Sequence, residues 1–124
     1  MKYMLLIYHD EHAWNRLTEA ERQKIYVEYR QLIEELQSGG RYIAGDQLQP
    51  TATAHSVRIR EGKQIVTDGP FAETREQIGG FFMIDAKDLD EANSIAARIP
   101  SARTGTVEVR PVVQAAEAKT LAAD

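Results

Sequence analysis

No cysteine occurs among the 124 residues, so disulfides, thiolate metal sites and cysteine nucleophiles are all excluded. Long apolar runs are missing too, and nothing approaches the roughly 20 residues that a membrane-spanning helix needs. The N-terminal apolar run, Met4 to Tyr8, is too short for a signal-peptide core and leads at once into His9, Asp10 and Glu11. A cytoplasmic protein is the expectation. Charge of one sign is scarce: 15 Lys and Arg against 19 Asp and Glu leave a net charge of −4, comfortable for solubility and a poor match to nucleic acid. Arg58 and Arg60 alternate on one segment, but two arginines on an acidic chain make no nucleic-acid platform. Phosphate loops, nucleophile elbows and dinucleotide fingerprints are absent, so no cofactor is expected. What remains is 43% hydrophobic residues with 8 Gly and 4 Pro, the composition of one globular domain. That domain is expected over residues 1–113, with an Ala-rich tail over 114–124.

The hydrophobic pattern alternates between strand and helix. Lys2 to Tyr8 reads as a strand. Thr18-Glu19-Ala20-Glu21 is a capping box, followed by apolar residues at Ile25, Tyr26, Tyr29, Leu32, Ile33 and Leu36 in helical spacing until Gly39-Gly40. Arg41 to Gln47 reads as a second strand, and a hairpin follows around Glu61-Gly62-Lys63. Phe81 to Ile84 gives another apolar strand. Asp88-Leu89-Asp90-Glu91 opens a second helix that Pro100 closes, and a last strand alternates through Val107 and Val109.

This order, β-α-β-(hairpin)-β-α-β, predicts an α+β, ferredoxin-like fold, in which the principal strands lie in the order 4-1-3-2. The two central strands are the ones apolar on both faces. Helices cover only one face of such a sheet, so the second face needs another cover. A self-complementary partner supplies it, and a homodimer is the expectation; the alternative is a monomer with the hairpin folded across that face. The same topology gathers His9 and Asp10, Asp46, the loop from Asp68 to Gln77 and the start of the first helix at one rim. That convergence marks a candidate site.

The segment Asp68-Gly69-Pro70-Phe71-Ala72-Glu73-Thr74-Arg75-Glu76-Gln77-Ile78-Gly79-Gly80-Phe81 strongly resembles the signature of the YCII-related family, in its DGPF-motif branch. The likeness extends to Lys2–Tyr8 and to Val107–Pro111. The resemblance implies a ferredoxin-like fold assembled as a dimeric α/β barrel, and a link to extracytoplasmic-function sigma factor signalling. In the better-studied branch, similar enzymes use a His–Asp pair without a cofactor, the His lying on the first helix. Here Tyr29 stands where that His would be. A Tyr can donate a proton, but its ordinary pKa near 10 makes it a poor base.

The residues themselves leave two readings of the motif open. Asp-Gly-Pro is turn chemistry, with Phe71 anchoring the loop in the core and Glu73, Arg75 and Glu76 as solvated or paired charges. In the functional reading, Asp68 is held on a rigid turn above a cleft, and Phe71, Glu73 and Arg75 contact the ligand, with Arg75 available for an anion. His9, paired with Asp46 or Asp68 across the rim, is an acid/base candidate. His9-Asp10-Glu11-His12 lacks a third metal ligand at a recognised spacing and reads as a solvated loop; His55 reads as exposed. The expected function is a cofactor-free, lyase- or isomerase-like enzyme acting on a small anionic molecule. Asp68, His9, Asp46 and Tyr29 are its catalytic candidates. The alternative is a non-catalytic, ligand-binding regulatory domain.

Overall fold

The computed structural model describes residues 1–116. A four-stranded antiparallel sheet is built from β1 (Lys2–His9), β2 (Tyr42–Gln47), β5 (Gln77–Asp85) and β6 (Thr106–Pro111), in the order β2-β5-β1-β6. This is the predicted strand order, and the mixed α+β architecture is consistent with a ferredoxin-like fold. Two further strands, β3 (His55–Arg60) and β4 (Lys63–Asp68), pair only with each other. Helices α1 (Glu11–Arg16), α2 (Glu19–Ser38) and α3 (Leu89–Ala97) complete the elements, with short turns of 3-10 helix at Thr51–Thr53 and Pro100–Arg103. None of the described helices is long and apolar enough to cross a membrane. Most of the Ala-rich tail expected over 114–124, namely 117–124, lies outside the described residues.

Side-chain alternation sorts the sheet into two faces. Tyr3, Leu5 and Ile7 of β1 and Phe82 and Ile84 of β5 are buried under the helices with Leu32, Leu36, Ala92, Ile95, Ala96 and Ile99. Leu5, Ile84 and Ile99 are fully enclosed, each burial contributing about 1.5–3 kcal/mol. The opposite face carries Met4, Leu6, Tyr8, Ile78, Phe81 and Met83, all half-buried. The hairpin does not cover that face, as the monomeric alternative requires. Every residue of β4 and all but Ser56 of β3 are exposed, Val57, Ile59, Ile65 and Val66 among them. Its strands turn through Glu61 (φ 53°) and Gly62 (φ 75°), the positive-φ pair that a two-residue hairpin turn requires.

The capping box at α2 forms as predicted: Thr18 Oγ1 accepts from the Glu21 N–H at 3.1 Å and Glu21 Oε1 from the Thr18 N–H at 3.0 Å. Its carboxylate, held by these bonds, is pulled below the usual range. One segment departs from expectation. The stretch after His9 is not a solvated loop but α1, with Asp10 as its N-cap accepting from the His12 N–H at 2.9 Å. Glu11 in the first turn and Arg16 in the last complement the helix dipole.

Candidate functional site

The stripe of α2 is sealed only over its C-terminal half. Leu32 and Leu36 are buried, while Ile25, Tyr26 and Tyr29 are half-buried and part of this N-terminal half stands over a cavity of about 280 Å³ between α2 and the sheet. Aromatic rings form its walls: Trp14 from α1, Tyr26 and Tyr29 from α2, Tyr42 from β2 and Phe82 from β5. Thus the chain's one Trp and three of its five Tyr meet in one place. The rings brace one another edge-on, with centroids 5.7 Å apart for Trp14–Tyr26, 6.1 Å for Tyr29–Phe82 and 5.5 Å for Tyr42–Phe82. Such contacts each contribute about 0.5–1.5 kcal/mol beyond burial.

His9 stands at the wall of this cavity. Its ring stacks on Trp14, centroids 5.9 Å apart and planes 16° from parallel. It also lies against Gly79: a Cβ there would sit 2.8 Å from His9 Nδ1 and closer still to Cε1. Gly79 occupies an irregularity where β5 runs one residue long against Ile7 and Tyr8 of β1, as a β-bulge does. What approaches Gly79 closely is therefore the imidazole itself. Gly45 works similarly, since a Cβ there would collide with Tyr42 Oη at 2.6 Å and Phe82 Cδ1 at 2.9 Å.

The polar groups are few. Tyr29 Oη and Ser101 Oγ share a hydrogen bond of 2.8 Å, and Gln47 Nε2 donates to Tyr26 Oη at 3.2 Å. Burial pushes the Tyr29 phenol above its ordinary value, with the Ser101 bond opposing. Tyr42 is raised by burial and then by the Asp46 charge. Both phenols are therefore neutral at neutral pH and serve as hydrogen-bonding groups rather than bases. No Lys or Arg lines the cavity among the described residues.

The structure brings three of the sequence-derived candidates together and disperses the others. His9, Asp46 and Tyr29 all border the cavity. Asp46 pairs with Phe81 whereas Gly45 and Gln47 pair with Phe82 and Gly80, so alternation directs the Asp46 side chain away from the helix-covered face. No hydrogen bond or ion pair joins His9 to Asp46 or Asp68 among the described residues. Asp68 ends β4, and its cross-strand neighbour is His55. Its exposed carboxylate lies 3.4 Å from His55 Nε2. The turn reading holds for Gly69, at φ 91°, but Phe71 is no core anchor: it is 82% exposed, because the loop over 69–76 leaves a hairpin that stands off the sheet. Glu73 and Arg75 are exposed on the same loop and do not line the cavity. The sequence reading missed Trp14, Tyr42 and Ser101. Asp10 as an N-cap ahead of Trp14 was the available signal for the first; Ser101, in a 3-10 turn after Pro100, had none.

Beside this cavity Glu11 ties three segments together. Its carboxylate accepts from Thr51 N–H and Thr51 Oγ1, each at 2.8 Å, and its own N–H donates to Gln77 Oε1 at 3.0 Å. The acids of the 9–12 segment are therefore engaged in structure, Asp10 as a cap and Glu11 as a clasp.

Fold and site together define an α+β domain with an aromatic cavity between one helix and an antiparallel sheet. The chain belongs to the YCII-related domain family, whose profile matches residues 1–116. It is similar to an uncharacterised protein of Rhizobium meliloti (strain 1021), at 36% identity over 114 residues that cover 90% of this chain and 92% of that protein.

Proposed function

We propose that this chain is a cytoplasmic homodimer that binds a small, planar, uncharged molecule in the aromatic cavity and moves a proton on it with His9. The observation that carries this reading is the imidazole at the cavity wall, held by Trp14 and Gly79. An imidazole ring can both accept and donate a proton to a bound molecule. The Tyr29–Ser101 pair supplies a neutral polar anchor for a hydroxyl or carbonyl. With no Lys or Arg in the described lining, a neutral ligand suits the cavity better than the anion that Arg75 suggested. The motif Asp68-Gly69-Pro70-Phe71 supports membership of the DGPF-motif branch.

Dimerisation would cover the second face of the sheet, where Met4, Leu6, Phe81 and Met83 form an apolar patch. Facing sheets of two protomers give the dimeric α/β barrel that the resemblance implies. Sedimentation at micromolar concentration should show a dimer; a stable monomer contradicts the assembly.

A second reading is favoured by one feature. His9 has no carboxylate partner among the described residues, and a general base is usually oriented by one. In this reading the domain binds its ligand without turnover and serves regulation, of the kind the link to sigma factor signalling suggests. Deuterium exchange at the ring carbons of resorcinol in heavy water separates the two. Acceleration by the protein, lost in His9→Gln while binding persists, is the enzymatic outcome. Binding with no acceleration by the unaltered protein is the regulatory one.

A further inference from the structure

A second cavity, of about 300 Å³, adjoins the aromatic one. The two share four lining residues: His9, Trp14, Gln47 and Gly79. The stacked His9–Trp14 pair, seated against Gly79, is thus a waist between two compartments. Their chemistry differs. On the inner side stand rings and the Tyr29–Ser101 hydroxyl pair. On the outer side the waist gives way to Asn15, Gln49, Leu48 and Pro50. Glu11 also lines this outer side, but both its carboxylate oxygens accept bonds from Thr51. The outer compartment therefore presents side-chain amides beside apolar surface, and neither a Lys nor an Arg among its described lining.

From this pairing we infer that the ligand is bipartite: a planar ring in the inner cavity joined to a short, neutral, hydrogen-bonding arm in the outer one, with the junction at His9. The inference rests on the reading of the aromatic cavity as a ligand site and adds the substrate class. Amide side chains both donate and accept, so Asn15 and Gln49 suit an amide or hydroxyl arm. A carboxylate arm would lose its hydration with no cation to replace it and would face the negative charge that Glu11 keeps. The waist also sets which atom reacts. With the ring seated inside and the arm outside, the atoms joining them lie beside the imidazole.

Calorimetric titration with three probes tests this. p-Cresol supplies the ring alone, N-acetyltyramine the same ring with a neutral amide arm, and 3-(4-hydroxyphenyl)propionate the ring with an anionic arm. N-acetyltyramine should bind about tenfold tighter than p-cresol, the gain expected from one or two well-placed hydrogen bonds, and 3-(4-hydroxyphenyl)propionate should gain nothing. The double variant Asn15→Ala/Gln49→Ala changes exposed side chains only; it should erase most of the gain and leave p-cresol affinity within about twofold. If p-cresol binds and the acetamide arm adds nothing, or if the double variant weakens both probes equally, the bipartite inference falls while the cavity reading stands. Failure of all three probes to bind removes the cavity reading itself.

Discussion

The two halves of the contact between α2 and the sheet are built by one helix on one sheet and behave differently. Toward the C-terminal end, Leu32 and Leu36 share a sealed cluster with Leu5, Ile84 and Ile99. Toward the N-terminal end, Tyr26, Tyr29 and Trp14 wall a space of about 280 Å³. The difference lies in residue type rather than backbone. Aliphatic side chains have rotamers that close gaps, whereas rigid rings braced edge-to-face cannot collapse onto the floor beneath them. Gly45, Gly79 and Gly80 withhold side chains from that floor. One helix face can thus be a binding wall along one stretch and core along another.

Substitutions on either side should separate stability from ligand affinity, and the largest stability effect belongs to the sealed half. Leu5→Ala removes a fully buried side chain and should cost about 2–5 kcal/mol in denaturant unfolding. Ring-probe affinity of the folded fraction should change little. A loss of affinity as large as the loss of stability means that the two halves are not independent.

Gly79→Ala acts on the open half. Its methyl group must displace the His9 ring, so a cost of about 1–3 kcal/mol is expected from overpacking. Affinity should fall with it, and the His9–Trp14 stack should break. A variant with unchanged His9 and Trp14 signals contradicts the placement of the imidazole.

The smallest effect is that of Tyr29→Phe, about 1 kcal/mol for the lost bond to Ser101. This variant also has a pH signature. Burial raises the folded-state value of the Tyr29 phenol above 10.0, so the folded chain keeps its proton to higher pH than the unfolded chain does. The stability this supplies is fully present below about pH 10 and is lost as pH climbs through the raised value. Unfolding curves across that alkaline range should fall less steeply for Tyr29→Phe than for the unaltered chain. Tyr8 and Tyr42, raised mainly by burial as well, supply the remaining slope.

The element order and the strand order were legible because each rests on a periodic pattern. The alternation in β1 and β5, and the helical spacing from Ile25 to Leu36, each extend over enough residues to be distinctive. At six residues, α1 is too short for periodicity to show, and with it went Trp14 and the neighbour of His9. His9 and Asp46 were legible at one rim because antiparallel pairing fixes which strand ends lie together, whereas Tyr29 came from the family resemblance. The places of Asp68 at the rim and Phe71 in the core were misjudged for the converse reason. Strands β3 and β4 pair only with each other, so nothing in their sequence fixes where the hairpin stands relative to the sheet.

The central claim is that the open half is a ligand site with His9 at its wall. The chain has one Trp, so its indole N–H gives a single resonance that reports on Trp14 without assignment. Titration of the protein with p-cresol, followed at that resonance and at the His9 ring protons, tests the claim directly. The account predicts that both move and saturate at the same concentration, while the exposed His55 ring stays fixed. Saturable binding of p-cresol that leaves the Trp14 and His9 signals in place would contradict it.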